Sequence, residues 1–83
     1  MAEQVLLAMS TFPDVEVARS VSRQLVEQRL AACANIGSAV QSIYHWAGKI
    51  EDGAETLVFF KTTRDRFHEF ARVLQSLHPY EVP

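Results

Sequence analysis

Residues 42–51, SIYHWAGKIE, decide the fold because they predict a tight reversal between two long strands. Tyr44 and Trp46 alternate with Ile43, so successive side chains point to opposite faces, which is the period of a β-strand. Ala47-Gly48 is a turn signal, because glycine adopts the left-handed backbone that tight hairpins need. The chain is therefore expected to run back from Lys49 as a partner strand.

The partner strand is predicted to extend through residues 55–60, ETLVFF, after an irregularity. We expect the kink or bulge at Asp52-Gly53, where an acidic turn former precedes glycine. The result is a hairpin long enough to project from a small domain. Two helical patterns flank it.

The upstream helix is predicted to start at residues 12–14, Phe-Pro-Asp, with Pro13 at an early helical position. The downstream helix is expected to be capped by Thr62 or Thr63. It ends at His78, because a residue before proline is pushed out of helical geometry. The predicted buried positions are Val17, Ala18, Val21 and Leu25 in the first helix, and Phe67, Phe70, Ala71, Leu74 and Leu77 in the second.

Residues 5–9, VLLAM, form an uninterrupted apolar run, which predicts a first strand covered on both faces. The order strand, helix, strand, strand, helix is the α+β, ferredoxin-like split βαβ arrangement with its final strand absent. We expect an antiparallel sheet with both helices on one face. The unpaired edge beside the first strand and the apolar hairpin both favour an oligomer.

Composition limits the function classes. The chain has 83 residues, so residues 1–83 are expected to form one domain. Its net charge of -2, with scattered basic residues, disfavours nucleic-acid binding. Apolar runs stay far below the roughly 18 residues of a membrane span. One cysteine and the absence of a leader pattern favour a reducing, cytoplasmic location.

Five separated segments carry a resemblance to a known family. They are STFPD, LVEQRLAACANI, SIYHWAGKIE, FFKTTRDR and LHPYEVP, in this order and spacing. The chain resembles the CutA family of small divalent-cation-tolerance proteins over residues 5–83. The resemblance implies a ferredoxin-like subunit, a homotrimer built through the hairpins, and an architecture similar to the PII signalling proteins. Family members normally continue past the position of Pro83 with a fourth strand and a short helix.

The resemblance also implies binding of copper or another divalent metal, and His78 is the candidate ligand. Members with a mapped copper site use a cysteine on the first strand and paired histidines at the end of the second helix. Here Ser10 and Leu77 stand at two of those three positions. Help from a second copy, Glu81 or Cys33 would therefore be needed, and a helix-terminal hydrogen bond is an equal alternative for His78.

The other candidates concern a small ligand. Cys33 has no neighbouring base and no second cysteine in the sequence, so we expect its side chain to pack as a small apolar group rather than to react. The alternative is that it lies in a cleft between subunits. Lys61 either reaches solvent or contacts an anion together with backbone N–H groups at the start of the second helix. The predicted ligand-binding residues are Cys33, Asn35, Trp46, Lys61 and Tyr80.

These residues favour a non-enzymatic homotrimer that binds a divalent metal or a small anionic effector between subunits. No organic cofactor, nucleic acid or membrane partner is expected. One alternative is a small enzyme acting on an anionic substrate, since Lys61, Asn35 and Arg64 could bind an oxyanion. The other is an assembly module whose first strand accepts a strand from another chain.

Overall fold

The computed structural model describes residues 4–79, which follow the predicted βαββα order. None of the helices in that range is long and apolar enough to cross a membrane. The elements are β1 (Val5–Phe12), α1 (Val15–Glu27), β2 (Cys33–Trp46), β3 (Lys49–Thr63) and α2 (Arg64–Leu77).

The three strands form one antiparallel sheet in the order β1-β3-β2. β3 is the central strand within residues 4–79, and β1 is an edge. The prediction that β1 is covered on both faces is wrong, because Leu7 and Met9 remain 63% and 66% exposed. Its continuous apolar run reflects two different environments, a core on one face and an uncovered apolar surface on the other.

The core lies between the two helices and one face of the sheet. Phe12, Val58 and Phe60 are fully buried there, and Phe70 of α2 meets the Phe60 ring edge-on at 5.3 Å. α1 adds Ala18, Val21 and Leu25, as its spacing predicts. Phe67 differs, since it is 41% exposed at the margin of α2. The opposite sheet face is called the outer face below.

The hairpin of β2 and β3 projects from this core, and the molecule is 48 Å long but only 23 Å and 19 Å across. Ala47 and Gly48 both have positive φ angles at its tip, 52° and 78°. The bulge is not at Asp52-Gly53, where the strands stay paired. It lies on β2 between Ile36 and Ala39, where three steps along β2 match two along β3.

The helix starts differ from their predicted form. Asp14 is the N-cap of α1, and its carboxylate accepts a hydrogen bond from the Val17 N–H at 2.8 Å. Pro13 therefore precedes the cap rather than lying within the helix. Thr63 is the N-cap of α2, but its hydroxyl bonds the Asp65 carboxylate instead of the backbone. His78 ends α2 as predicted.

Candidate functional site

The outer face of the sheet is a continuous apolar surface. On β1 it presents Val5, Leu7 and Met9, each at least 63% exposed. Leu57 and Phe59 of β3 lie beside them, since Met9 pairs with Phe59 in register. Exposed apolar patches of this kind mark interaction surfaces on small proteins.

Three predicted ligand residues meet at one end of this face, and we call them the Cys33 patch: Cys33, Asn35 and Lys61. Cys33 pairs directly with Lys61 across β2 and β3, and alternation puts Asn35 on the same face. The Cys33 thiol lies 3.8 Å from the Asn35 carboxamide oxygen, a weak hydrogen bond. Lys61 is exposed, so its ammonium reaches solvent in the single chain. The patch combines a weak donor, an amide and a cation.

Two other predicted ligand residues do not join this patch. Trp46 lies at the far end of β2, 65% exposed beside the hairpin turn. It cannot contact Cys33 within one chain, because the strand between them is on the order of 40 Å long. Tyr80 lies outside the described residues.

His78 lies on the helix side of the sheet, across it from the Cys33 patch. Its ring stacks on Phe12 with centroids 4.5 Å apart, and its Nε2 lies 2.7 Å from the Thr11 carbonyl oxygen. A carbonyl only accepts hydrogen bonds, so Nε2 carries a proton and donates. His78 is 7% exposed. It therefore ties the end of α2 to the end of β1.

Burial lowers the pKa of His78 below its ordinary value of 6.5, because the imidazolium loses hydration in this position. The Thr11 carbonyl and the Glu55 carboxylate favour the charged form and offset part of the effect. The neutral ring is therefore favoured near neutral pH. Neutral imidazole is also the form that ligates metals.

The donor groups of residues 4–79 do not make a metal site within one chain. No cluster of three or more His, Cys, Asp or Glu side chains that could hold an ion occurs in this range. Ser10 is buried, and its hydroxyl has no hydrogen-bond partner within the described residues. His45 and His68 are both exposed, on the hairpin arm and on α2 respectively.

The N-terminus of α2, where an anionic ligand could bind backbone N–H groups, is already occupied by a carbonyl and a carboxylate of the chain itself. The Arg64 N–H donates to the Gln4 carbonyl at 3.0 Å, and Asp65 lies in the first turn. Thr62 and Thr63 belong to β3 rather than to the helix, and the Thr62 hydroxyl donates to the Leu30 carbonyl at 2.6 Å. An anion at Lys61 would therefore gain little from this helix end.

Two features of these sites were missed by sequence reasoning. One is the set of outer-face residues on β1, which the apolar run VLLAM indicates only if alternate positions are treated separately. The other is the pair of Phe12 and Thr11 that holds His78. Its members are more than 65 positions away along the chain, and no local pattern links them.

Comparison with known proteins places this fold in a family. The model of the CutA1 divalent ion tolerance protein family matches residues 6–83. The chain belongs to the CutA1 family. A CutA1 relative, the divalent-cation tolerance protein CutA of Thermus thermophilus, is 45% identical over all 83 residues, which cover 78% of that protein.

Solved CutA1 structures have the same fold. The CutA1 structure from Ehrlichia chaffeensis superposes with a TM-score of 0.93 at 35% identity, covering 100% of this chain and 78% of that one. The structure of the periplasmic divalent cation tolerance protein CutA from Archaeoglobus fulgidus gives 0.90 at 32% identity, covering 96% and 78%. These likenesses confirm the predicted ferredoxin-like subunit.

Proposed function

We propose that the protein is a non-enzymatic homotrimer that acts in the cellular response to divalent metal ions such as copper. Relatives are named divalent-cation tolerance proteins, which supports the metal part of this proposal. The trimer is built through the hairpins and outer faces, with an architecture like that of the PII signalling proteins. The proposed location is the cytoplasm, although the Archaeoglobus relative is described as periplasmic.

The observation that carries the proposal is the outer face. Leu7 and Met9 are largely exposed in one chain, next to the half-buried Phe59. Burying an exposed side chain of this size stabilises an assembly by about 1.5–3 kcal/mol. Both helices pack on the other face of the sheet, so they cannot bury the outer face. A second copy of the chain would bury it and would also explain why the hairpin projects.

The trimer would enclose the Cys33 patch in clefts between subunits. Lys61 would supply charge for a small anionic effector, and Cys33 and Asn35 would supply polar contacts. Trp46 is distant within one chain, so its place in the cleft requires the hairpin of a neighbouring copy. Tyr80 completes the proposed ligand set.

Metal binding in this proposal needs further ligands from a second copy, Glu81 or Cys33, because residues 4–79 of one chain hold no cluster of three donor side chains. His78 is the proposed imidazole ligand. Its Nε2 would have to exchange the Thr11 carbonyl for the ion, or the other ring nitrogen would have to serve. The ion is the signal or cargo of the response.

Native mass spectrometry with and without Cu(II) tests both parts at once. We expect a trimer that takes up copper, and His78→Ala should lose the bound copper while His68→Ala keeps it. A trimer that does not bind copper would contradict the metal part of the proposal and would leave only the binding of a small anionic effector between subunits. A stable folded monomer would contradict the assembly.

A further inference from the structure

We infer that Arg29 and Arg66 bind a phosphate group of a small soluble molecule at the corner where α1 ends and α2 begins. These two residues are called the arginine corner below. Arg29 follows the C-cap of α1, and Arg66 lies in the first turn of α2, so both belong to the helix layer. The Cys33 patch lies on the outer face of the sheet instead. The inference therefore does not rest on the proposed function.

Arg29 occupies a backbone position that favours glycine. Its N–H donates to the Val26 carbonyl, and the Leu30 N–H donates to the Leu25 carbonyl, both at 3.0 Å. These two bonds form the Schellman motif, in which the residue after the C-cap is left-handed and is usually glycine. The φ angle of Arg29 is 60°. Strained positions of this kind are concentrated at binding sites, which directs attention to the Arg29 side chain.

Arg66 brings a second cation to the same point of the surface. Its Nη1 donates to the Arg29 carbonyl oxygen at 3.0 Å, and both arginines are exposed. This bond uses only one of the five N–H donors of the guanidinium group. The remaining donors of Arg66 are therefore held beside the residue from which the Arg29 side chain extends. The two guanidinium groups are within reach of one anion.

The charge of the arginine corner is not neutralised by carboxylates of the described residues. Neither arginine has an ion pair within residues 4–79. Glu27, the last carboxylate of α1, lies 3.5 Å from the Arg23 guanidinium instead. Asp65 precedes Arg66, but its carboxylate accepts a hydrogen bond from the Thr63 hydroxyl. Two cations that share one place without a counter-charge favour an anionic ligand.

The chemistry of the two side chains selects phosphate among anions. Guanidinium groups match phosphate oxygens in pairs of parallel hydrogen bonds. A phosphate group carries between one and two negative charges near neutral pH and has three acceptor oxygens. It can therefore satisfy Arg29 and Arg66 together, whereas a carboxylate brings a single charge and two oxygens.

Pyrophosphate is the probe, titrated at constant ionic strength into the 15N-labelled full chain and followed by NMR. We expect saturable shifts at residues 28–30 and 65–67. Arg29→Gly should raise the Kd about tenfold, because it removes charge-assisted hydrogen bonds. Glycine suits the left-handed backbone, so the Tm of this variant should stay the same or rise, which separates lost binding from misfolding. Arg72→Gln removes the same charge elsewhere on α2 and should leave the Kd unchanged.

Several results would overturn the inference. They are the absence of saturable shifts, an unchanged Kd in Arg29→Gly, and equal weakening by Arg29→Gly and Arg72→Gln. Succinate that binds as tightly as pyrophosphate would contradict the choice of phosphate. Loss of binding in Lys61→Gln but not in Arg29→Gly would place the anion at the Cys33 patch, which supports the proposed effector and overturns this inference. Sedimentation with phosphatidylglycerol vesicles adds a last control, because binding to vesicles without binding to pyrophosphate would assign the corner to a lipid surface.

Discussion

At the scale of single residues, His78 shows how one side chain joins distant parts of the chain. Its ring covers Phe12 and its Nε2 donates to the Thr11 carbonyl. Replacing it with alanine removes the contact and leaves the carbonyl without that donor. We expect His78→Ala to lower the free energy of unfolding by about 2–3 kcal/mol. Chemical denaturation measures this, and the exposed His68→Ala should change it by less than about 0.5 kcal/mol.

The same residue makes stability depend on pH. Unfolded His78 takes up a proton near pH 6.5, whereas burial lowers the pKa in the folded chain. As pH falls below 6.5 the unfolded state binds more protons, so stability falls until the folded pKa is passed. Urea unfolding between pH 7.5 and about 5.5, above the range of most carboxylates, should show this decline. His78→Gln should flatten it, and an unchanged slope in that variant would contradict the assignment.

The sequence makes His78 a candidate for metal ligation or for a helix-terminal hydrogen bond, and it cannot decide between the two. That choice depends on Thr11 and Phe12, which the fold brings to it from the other end of the chain. The positions of Asn35 and Lys61 are easier to predict, because strand alternation and hairpin register put both residues beside Cys33. Trp46 lies far from Cys33 within one chain, and its predicted place in a cleft between subunits stays a prediction, because residue type alone carries no distance.

At the scale of elements, the hairpin was predicted but its bulge was not. Ala47-Gly48 has a strong local signature, since positive φ angles suit few residues. The bulge at residues 36–39 depends instead on how β2 fits across β3, and Gly37 lies there with the Leu57 carbonyl 3.3 Å from where a Cβ would stand. Asp52-Gly53 resembles a turn signal, yet tolerates regular pairing.

Two glycines of the hairpin test this difference. Gly48→Ala should destabilise the fold by about 1 kcal/mol, because its φ of 78° is unfavourable for an alanine. Gly53→Ala should be neutral or slightly stabilising, since its backbone is not left-handed and a Cβ there meets nothing within 4 Å. Thermal unfolding of the two variants compares them directly. Equal losses of stability would contradict the turn assignment.

At the scale of the whole molecule, the order of elements was predictable and the exposure of β1 was not. A single chain leaves the outer face open, and an apolar run cannot reveal whether its second face is covered by helices or by another copy. Leu7 is the informative position, because it is 63% exposed in the single chain and pairs with Lys61, a member of the Cys33 patch.

Leu7→Glu therefore separates assembly from folding. The glutamate should remain solvated in one chain but would be buried without a matched partner if outer faces meet, which costs several kcal/mol. We expect sedimentation velocity to show dissociation to folded monomers with unchanged far-UV circular dichroism. Val15→Glu replaces an apolar residue that is 50% exposed on α1, and it should leave the sedimentation coefficient unchanged. If Leu7→Glu assembles like the parent chain, the outer face is not the trimer interface, and the hairpins alone would have to hold the copies together.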